Sequence, residues 1–267
     1  MADDPTMPEL GPRDWLRVLR RALPLAIVVF GCLAILLVVR MVEYPIYGPR
    51  RPITPRITQF VCKSAFVILG ISHRVHGTPM ADQGAAVANH VSWLDIFALN
   101  AHDRIYFIAK AEVAGWPGIG WLARATGTMF VIRNRAQAVG QTAVLQDRLT
   151  QGHRLLFFPE GTSTDGQRVL PFKPTLFQAF WADGLRNHTQ IQPISVIYTA
   201  PKGQEARYYG WWGDMEFGAH LLKVLATRHQ GAITVRYHTP VAVADYPNRK
   251  ALAQGLEQIV RRGLAAG

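Results

Sequence analysis

Two short stretches hold most of the residues able to carry chemistry. The first is Ala88-Asn89-His90-Val91-Ser92-Trp93-Leu94-Asp95. An apolar run over residues 85–89 leads into an Asn-His turn and then a helical pattern headed by Ser92, a residue type suited to capping a helix N-terminus. On a single helix, His90 and Asp95 would point roughly 140° apart. With His90 in the strand-to-helix turn instead, its ring can fold over the first helical turn onto the Asp95 carboxylate. That pair has the parts of a general base with its orienting acid, the carboxylate fixing the tautomer and stabilising the imidazolium. The same residues also fit a plain Asn-His turn with Asp95 as a first-turn helix acid. Taken alone, the stretch leaves both readings open.

The second stretch is Phe157-Phe158-Pro159-Glu160-Gly161-Thr162-Ser163-Thr164. A strand pattern over residues 154–158 stops at Pro159, which cannot donate to a sheet. Glu160 then stands at the carboxyl edge of the sheet, beside Gly161, where a ligand can approach the backbone closely. Thr162, Ser163 and Thr164 add hydroxyls, although an ordinary turn with hydroxyl caps would look the same. The stretch is no nucleophile elbow, because Asp165 stands where G-x-S-x-G needs its last glycine. In a third stretch, Gly127 to Arg135, Arg133 and Arg135 end an apolar strand. Guanidinium groups there suit a phosphate, or simply a solvated strand end. Lys110 and Lys173 are further cations near sheet edges.

Other patterns carry less. Gly118-Ile119-Gly120-Trp121-Leu122-Ala123 has the dinucleotide spacing but no preceding strand and no acid at the expected distance. His73 and His76 face opposite sides of a strand and lack an acid or cysteine partner, so no metal site is expected. Trp211-Trp212-Gly213-Asp214-Met215 reads equally as membrane-facing aromatics or as core.

The elements that must position these residues alternate in type. Strand patterns cover residues 74–77, 85–89, 128–132, 154–158, 191–198 and 232–238. Helical patterns cover residues 93–100, 118–125, 136–150, 177–182 and 249–262. Such alternation predicts an α/β domain over residues 72–267, with a mixed, largely parallel sheet flanked by helices. Ahead of it, residues 1–22 read as a cytoplasmic segment. Leu23 to Val39 then runs without a charged or hydrogen-bonding side chain and reaches roughly 25 Å as a helix, close to a bilayer core. No small-x-small cleavage site follows; Arg40 does. Pro45, Pro49, Pro52 and Pro55 forbid a long helix through residues 40–56. A second apolar stretch, residues 57–71, carries Lys63 and Gln59 and suits an interfacial helix. Residues 23–71 are therefore expected to form a two-helix membrane anchor with a proline-rich link.

Composition sets bounds on partners. Among 267 residues, 49% are hydrophobic, and 29 Lys+Arg against 18 Asp+Glu give a net charge of +11. The chain is too apolar to be disordered, and its 2 cysteines supply neither a disulfide framework nor a metal-ligand set. Basic arginines flank the first apolar segment on both sides, as suits contact with an anionic membrane. Nucleic acid is not expected, since no basic helix or aromatic-basic platform accompanies the charge.

In this order and spacing, the motifs resemble the glycerolipid acyltransferase family that includes 1-acyl-sn-glycerol-3-phosphate acyltransferases. Its first block, N-H-x-S-W-x-D, is matched by Asn89, His90, Ser92, Trp93 and Asp95. The second, an apolar strand ending in Arg, is matched by Phe130 to Arg133, with Ile132 in place of a usual acid. The third, F-P-E-G-T-x-S, is matched by Phe158 to Thr164, with Ser163 for a usual Arg and Thr164 for the usual Ser. Gln192 to Val196 matches the fourth, and Ala109-Lys110 and Phe172-Lys173 also resemble family positions.

The resemblance implies an O-acyltransferase with His90 and Asp95 as the catalytic pair and no cofactor or metal. His90 would take the proton from a lysolipid hydroxyl, which attacks the thioester of an acyl-CoA or an acyl carrier protein. Arg133, Glu160, Gly161, Thr162 and Lys110 would bind substrate. The acceptor is expected to be 1-acyl-sn-glycerol-3-phosphate, giving phosphatidic acid at the cytoplasmic face of a bacterial inner membrane. The altered third block and the Trp-Trp-Gly-Asp-Met segment also resemble a bacterial branch containing lyso-ornithine-lipid acyltransferases, whose acceptor has no phosphate. A non-catalytic protein that binds anionic membranes is the alternative from another class.

Overall fold

The computed structural model describes residues 10–82, 84–131, 138–182 and 184–266. Its centre is one sheet built from β1 (Ser72–His76), β2 (Gly84–Ala88), β3 (Ile105–Lys110), β4 (Met129–Val131), β5 (Arg154–Phe157), β6 (Gln190–Thr199), β7 (Ala232–Tyr237) and the short β8 (Val241–Ala242). The strand order is β1-β7-β6-β2-β5-β3-β4, with β8 on β6. The run β6-β2-β5-β3-β4 is parallel throughout, and β1 is parallel to β7; β7 and β8 pair antiparallel to β6. This is the mixed, largely parallel sheet expected. β2 is buried along its whole length, as a central strand covered on both faces must be. β3 and β8 are additions to the six strands read from the sequence.

Helices α3 (Leu94–Asn100), α4 (Ile119–Ala125), α5 (Ala138–Thr150), α6 (Phe217–Ala226) and α7 (Arg249–Ala265) flank the sheet, two hydrophobic clusters lying on its two sides. The helical pattern at residues 177–182 forms instead a 3₁₀ helix, Pro174–Trp181. α6 was not expected; it is a short helix of 10 residues just after the aromatic Trp211–Met215 stretch.

The N-terminal elements differ from expectation. α1 (Pro12–Tyr47) is one helix of 36 residues, roughly 54 Å long, and it carries Pro24 and Pro45 inside. Pro45 sits in the last turn, where only the bond from its missing N–H is lost, so the helix runs eight residues into the stretch 40–56, through which no long helix was expected. The link shrinks to residues 48–53, and α2 (Thr54–Leu69) begins with Pro55 in its first turn. The buried Glu43 accepts from Ile53 N, Thr54 N and Thr54 Oγ1, at 2.7, 3.1 and 2.8 Å, so a carboxylate on α1 caps α2.

Among the described residues, only α1 has the length and apolar composition to cross a membrane. The expected two-helix anchor is therefore corrected to one candidate span. α2, with 16 residues, buries Cys62, Ala65, Phe66 and Leu69, and all but Ala65 belong to the cluster that contains Leu94, Val196 and Val235. Its apolar residues read as a membrane signal because a core-facing stripe and a lipid-facing one have the same composition. By contrast, α1 leaves Ile27, Phe30, Ile35, Val38, Met41 and Val42 exposed. Its first turns are fastened to the domain: Arg21 donates to Leu225 O and Thr227 O (2.9 and 2.5 Å), and Arg17 to Ala226 O, so both cations meet the carbonyl end of α6.

Candidate active site

Parallel pairing aligns the carboxyl ends of β2 and β5, and their next residues are the two motifs. Ala88 ends β2, and Asn89 continues it through its side chain. Asn89 Nδ2 donates to Val196 O and Val196 N donates to Asn89 Oδ1, both at 2.8 Å, so the amide imitates one more residue pair with β6. The backbone then turns at His90 toward α3.

His90 lies in this turn, not on the helix. Its Nδ1 is 2.6 Å from Asp95 Oδ2, the carboxylate being fully buried and the ring partly open. The same oxygen accepts from Val91 N (2.7 Å) and Ser92 N (3.1 Å). Asp95 thus binds two N–H groups of the turn ahead of α3, whose N-cap residue, Trp93, makes no side-chain cap; the Ser92 hydroxyl, expected to cap the helix, is buried and makes no hydrogen bond among the described residues. The other carboxylate oxygen, Oδ1, accepts from Tyr198 OH at 2.5 Å. Phe158 stacks on the imidazole, with centroids 4.0 Å apart and planes 11° from parallel. Nε2 is not engaged by any described residue. A ring held through Nδ1 by a carboxylate presents Nε2 as a base.

The third block holds the backbone of His90. Glu160 is 1% exposed; its Oε1 accepts from His90 N (2.8 Å) and its Oε2 from Leu170 N (2.6 Å). Thr164 N donates to His90 O at 2.9 Å, and Thr164 Oγ1 to the same oxygen at 3.2 Å. Burial pushes the Glu160 carboxyl up to about 7, against the two amide donors that favour its ionised form. Gly161 takes φ +74°, the left-handed conformation that lets the chain reverse directly after Glu160. Gly166, at φ +77°, packs where a Cβ would lie 2.8 Å from Val91 Cγ1.

Of the expected substrate-binding residues, Gly161 is half-buried, and Thr162 and Lys110 are exposed, Lys110 closing β3 at the same edge of the sheet. Arg133 lies outside the described residues. The Trp-Trp-Gly-Asp-Met segment joins the site from a third side: Trp211 N donates to Val91 O at 2.9 Å, and the Trp211 ring meets Trp116 and Phe217 edge-on. Trp93 of the first block donates from Nε1 to His220 Nδ1 (2.9 Å), fixing α3 against α6; burial, then the nearby Lys223, hold that histidine down to about 3, neutral and able to accept. Sequence reasoning missed Tyr198 and His220. Tyr198 lies in an apolar strand where nothing distinguishes it from a packing aromatic.

The family model described as Acyltransferase matches residues 72–197. A lyso-ornithine lipid O-acyltransferase of Rhodobacter capsulatus is 52% identical, over 99% of this chain and 96% of that protein. This chain belongs to the glycerolipid acyltransferase family. It is an O-acyltransferase. A 1-acyl-sn-glycerol-3-phosphate acyltransferase of Neisseria gonorrhoeae is 39% identical, over 76% of this chain and 78% of that protein. The crystal structure of the 1-acyl-sn-glycerophosphate acyltransferase of Thermotoga maritima has the same fold, with TM-score 0.67, 22% identity and 95% of each chain covered. Within this acyltransferase, the matched region starts at β1 and ends in β6, so it takes in both motifs and the strands that carry them.

Proposed function

We propose that this acyltransferase is a membrane-bound lyso-ornithine lipid O-acyltransferase that takes its acyl group from an acyl-CoA or an acyl carrier protein. The observation that carries the acceptor is the near full-length similarity, 52% identical, to the Rhodobacter capsulatus protein of that name. Ser163 agrees with it. An acceptor without phosphate needs no guanidinium at the position where the family usually has Arg.

In this reading, His90 Nε2 removes the proton from the acceptor hydroxyl as its oxygen attacks the thioester carbonyl. The tetrahedral intermediate collapses with loss of the thiolate, which takes the proton from the imidazolium. Asp95 stabilises that imidazolium and fixes the tautomer. No covalent acyl-enzyme is required. Glu160 acts by bracing the backbone of His90 rather than by touching substrate, since both its oxygens are occupied. Lys110 and Arg133 supply positive charge for the anionic donor. α1 anchors the protein at the cytoplasmic face of the membrane, where acyl thioesters are available and the lysolipid can enter from the bilayer.

The second reading is 1-acyl-sn-glycerol-3-phosphate as acceptor, favoured by the 39% identity to the Neisseria gonorrhoeae enzyme. Purified protein offered one acyl-CoA and a panel of lysolipids decides between them, with products read by mass spectrometry. Ornithine lipid is the expected product. Phosphatidic acid alone would overturn the acceptor, and lipid binding without thioester consumption would overturn the reaction.

A further inference from the structure

The Asp95 carboxylate is unevenly supplied with donors. Oδ2 receives three, from His90 Nδ1, Val91 N and Ser92 N, all from its own turn. Oδ1 receives one among the described residues, and it comes from across the sheet: the Tyr198 hydroxyl. We propose that Tyr198 is a positioning residue for acyl transfer, whose hydroxyl fixes the plane of the carboxylate that orients His90.

The geometry that delivers Tyr198 is specific. Asn89 clamps both backbone groups of Val196. Two residues further along β6, Tyr198 is carried to the same face by the strand's period. It reaches beyond the end of β2, whose last residue, Ala88, pairs with Ile194. Without its hydroxyl, Oδ1 would be a buried acceptor lacking a donor, and the carboxylate could rotate to exchange its oxygens. His90 Nδ1 would then lose its alignment while the backbone of the turn stayed in place. Burial, and next the Asp95 charge, hold the phenol well above its ordinary range, so it remains a donor at any working pH. Tyr198 does not reach the reacting atoms; it acts through Asp95.

The inference rests on the acyl-transfer reading, and its test separates the two. The titratable groups facing the dyad are Glu160 from the loop after β5, Tyr198 from β6 and, behind it, Tyr209, with its ring 5.7 Å from that of Tyr198. Full-length protein in detergent micelles is assayed with palmitoyl-CoA and lyso-ornithine lipid, and the His90 imidazole is titrated by NMR. Tyr198→Phe should lower kcat about tenfold with KM within about twofold, the pattern of a lost contribution to the transition state alone. Losing a donor makes Asp95 a stronger partner for the imidazolium, so the His90 titration and the acid limb of the rate profile should move up by about half a unit or more. Installing 3-fluorotyrosine at position 198 keeps the ring and strengthens the donor. It should move both down, and it replaces Tyr198→Phe should that variant fail to fold. Tyr209→Phe removes a neighbouring buried hydroxyl, bonded to Gln230 and Gly231 N, and should leave kcat and both titrations unchanged. Unmoved titrations at position 198, or equal losses from Tyr198→Phe and Tyr209→Phe, would overturn the inference. Absence of product from the unmodified protein, with the imidazole shift still present, would instead overturn the acyl-transfer reading and leave Tyr198 as the support of the dyad.

Discussion

Two buried carboxylates flank His90, and they address different parts of it. Asp95 holds the ring, together with the N–H groups of its own turn and the Tyr198 hydroxyl. Glu160 holds the backbone N–H of the same residue, from 70 positions further along the chain, and ties it to Leu170. One carboxylate holds the imidazole; the other holds the backbone that carries it. The first block could form its contact with Asp95 locally, but the third block, brought beside it by parallel pairing of β2 and β5, holds the backbone of His90 from a distant segment. A family signature of separated blocks is therefore one structural unit around a single histidine.

This division of roles makes ordered predictions. His90→Ala removes the base itself and should lower kcat about 10²–10⁴-fold, with the melting temperature little changed because the ring is partly exposed. Near-normal turnover by that variant would end the comparison. Asp95→Asn should cost roughly a hundredfold in kcat: Val91 N and Ser92 N hold the amide oxygen toward Nδ1, but a neutral amide no longer stabilises the imidazolium. It should also loosen the turn ahead of α3, whose Val91 and Ser92 N–H groups share one carboxylate oxygen, and both effects can be read by kinetics beside thermal melting.

Glu160→Gln should cost less in rate, on the order of tenfold, and proportionally more in stability, about 1–3 kcal/mol. Two amide N–H groups point at the two oxygens, and a glutamine can offer an oxygen to only one of them. Loss of rate with unaltered stability would mean that both carboxylates serve the chemistry. The titration sharpens the same point. Folded Glu160 keeps its proton to about 7 where the ordinary value is 4.5, so its stabilising effect is complete below pH 4.5 and is lost as pH rises through 7. That amounts to about 3 kcal/mol at 1.4 kcal/mol per unit. The stability profile of Glu160→Gln should be flatter across this window. Thr164→Ser should have the smallest effect, within about twofold in rate, because it preserves both bonds to His90 O and removes only a methyl group.

Much of the site was legible before the fold. The spacing of His90 and Asp95 left a helix reading and a turn reading open, and the turn reading is the one realised. All six strand patterns fall within one or two residues of strands found, the one at residues 128–132 ending outside the described residues. The misreadings share a cause. α2 looked like half of a membrane anchor and Ser92 like a helix cap, because each has the composition of that role. Their surroundings decide otherwise: the core strands lie against α2, and the Ser92 hydroxyl is buried without a hydrogen-bond partner among the described residues.

Read alone, the amino-acid sequence determined the class of fold, the apolar helix ahead of it, the pairing of His90 with Asp95 and the class of enzyme. These depend on periods and spacings within a few residues, where local backbone geometry leaves few outcomes. Tertiary structure decided which apolar helix belongs to the core, that Glu160 is a brace, and that Tyr198 completes the shell of Asp95. Each of those depends on which distant donor meets a buried oxygen or which surface covers an apolar face. Strand register sets that, and no local pattern records it.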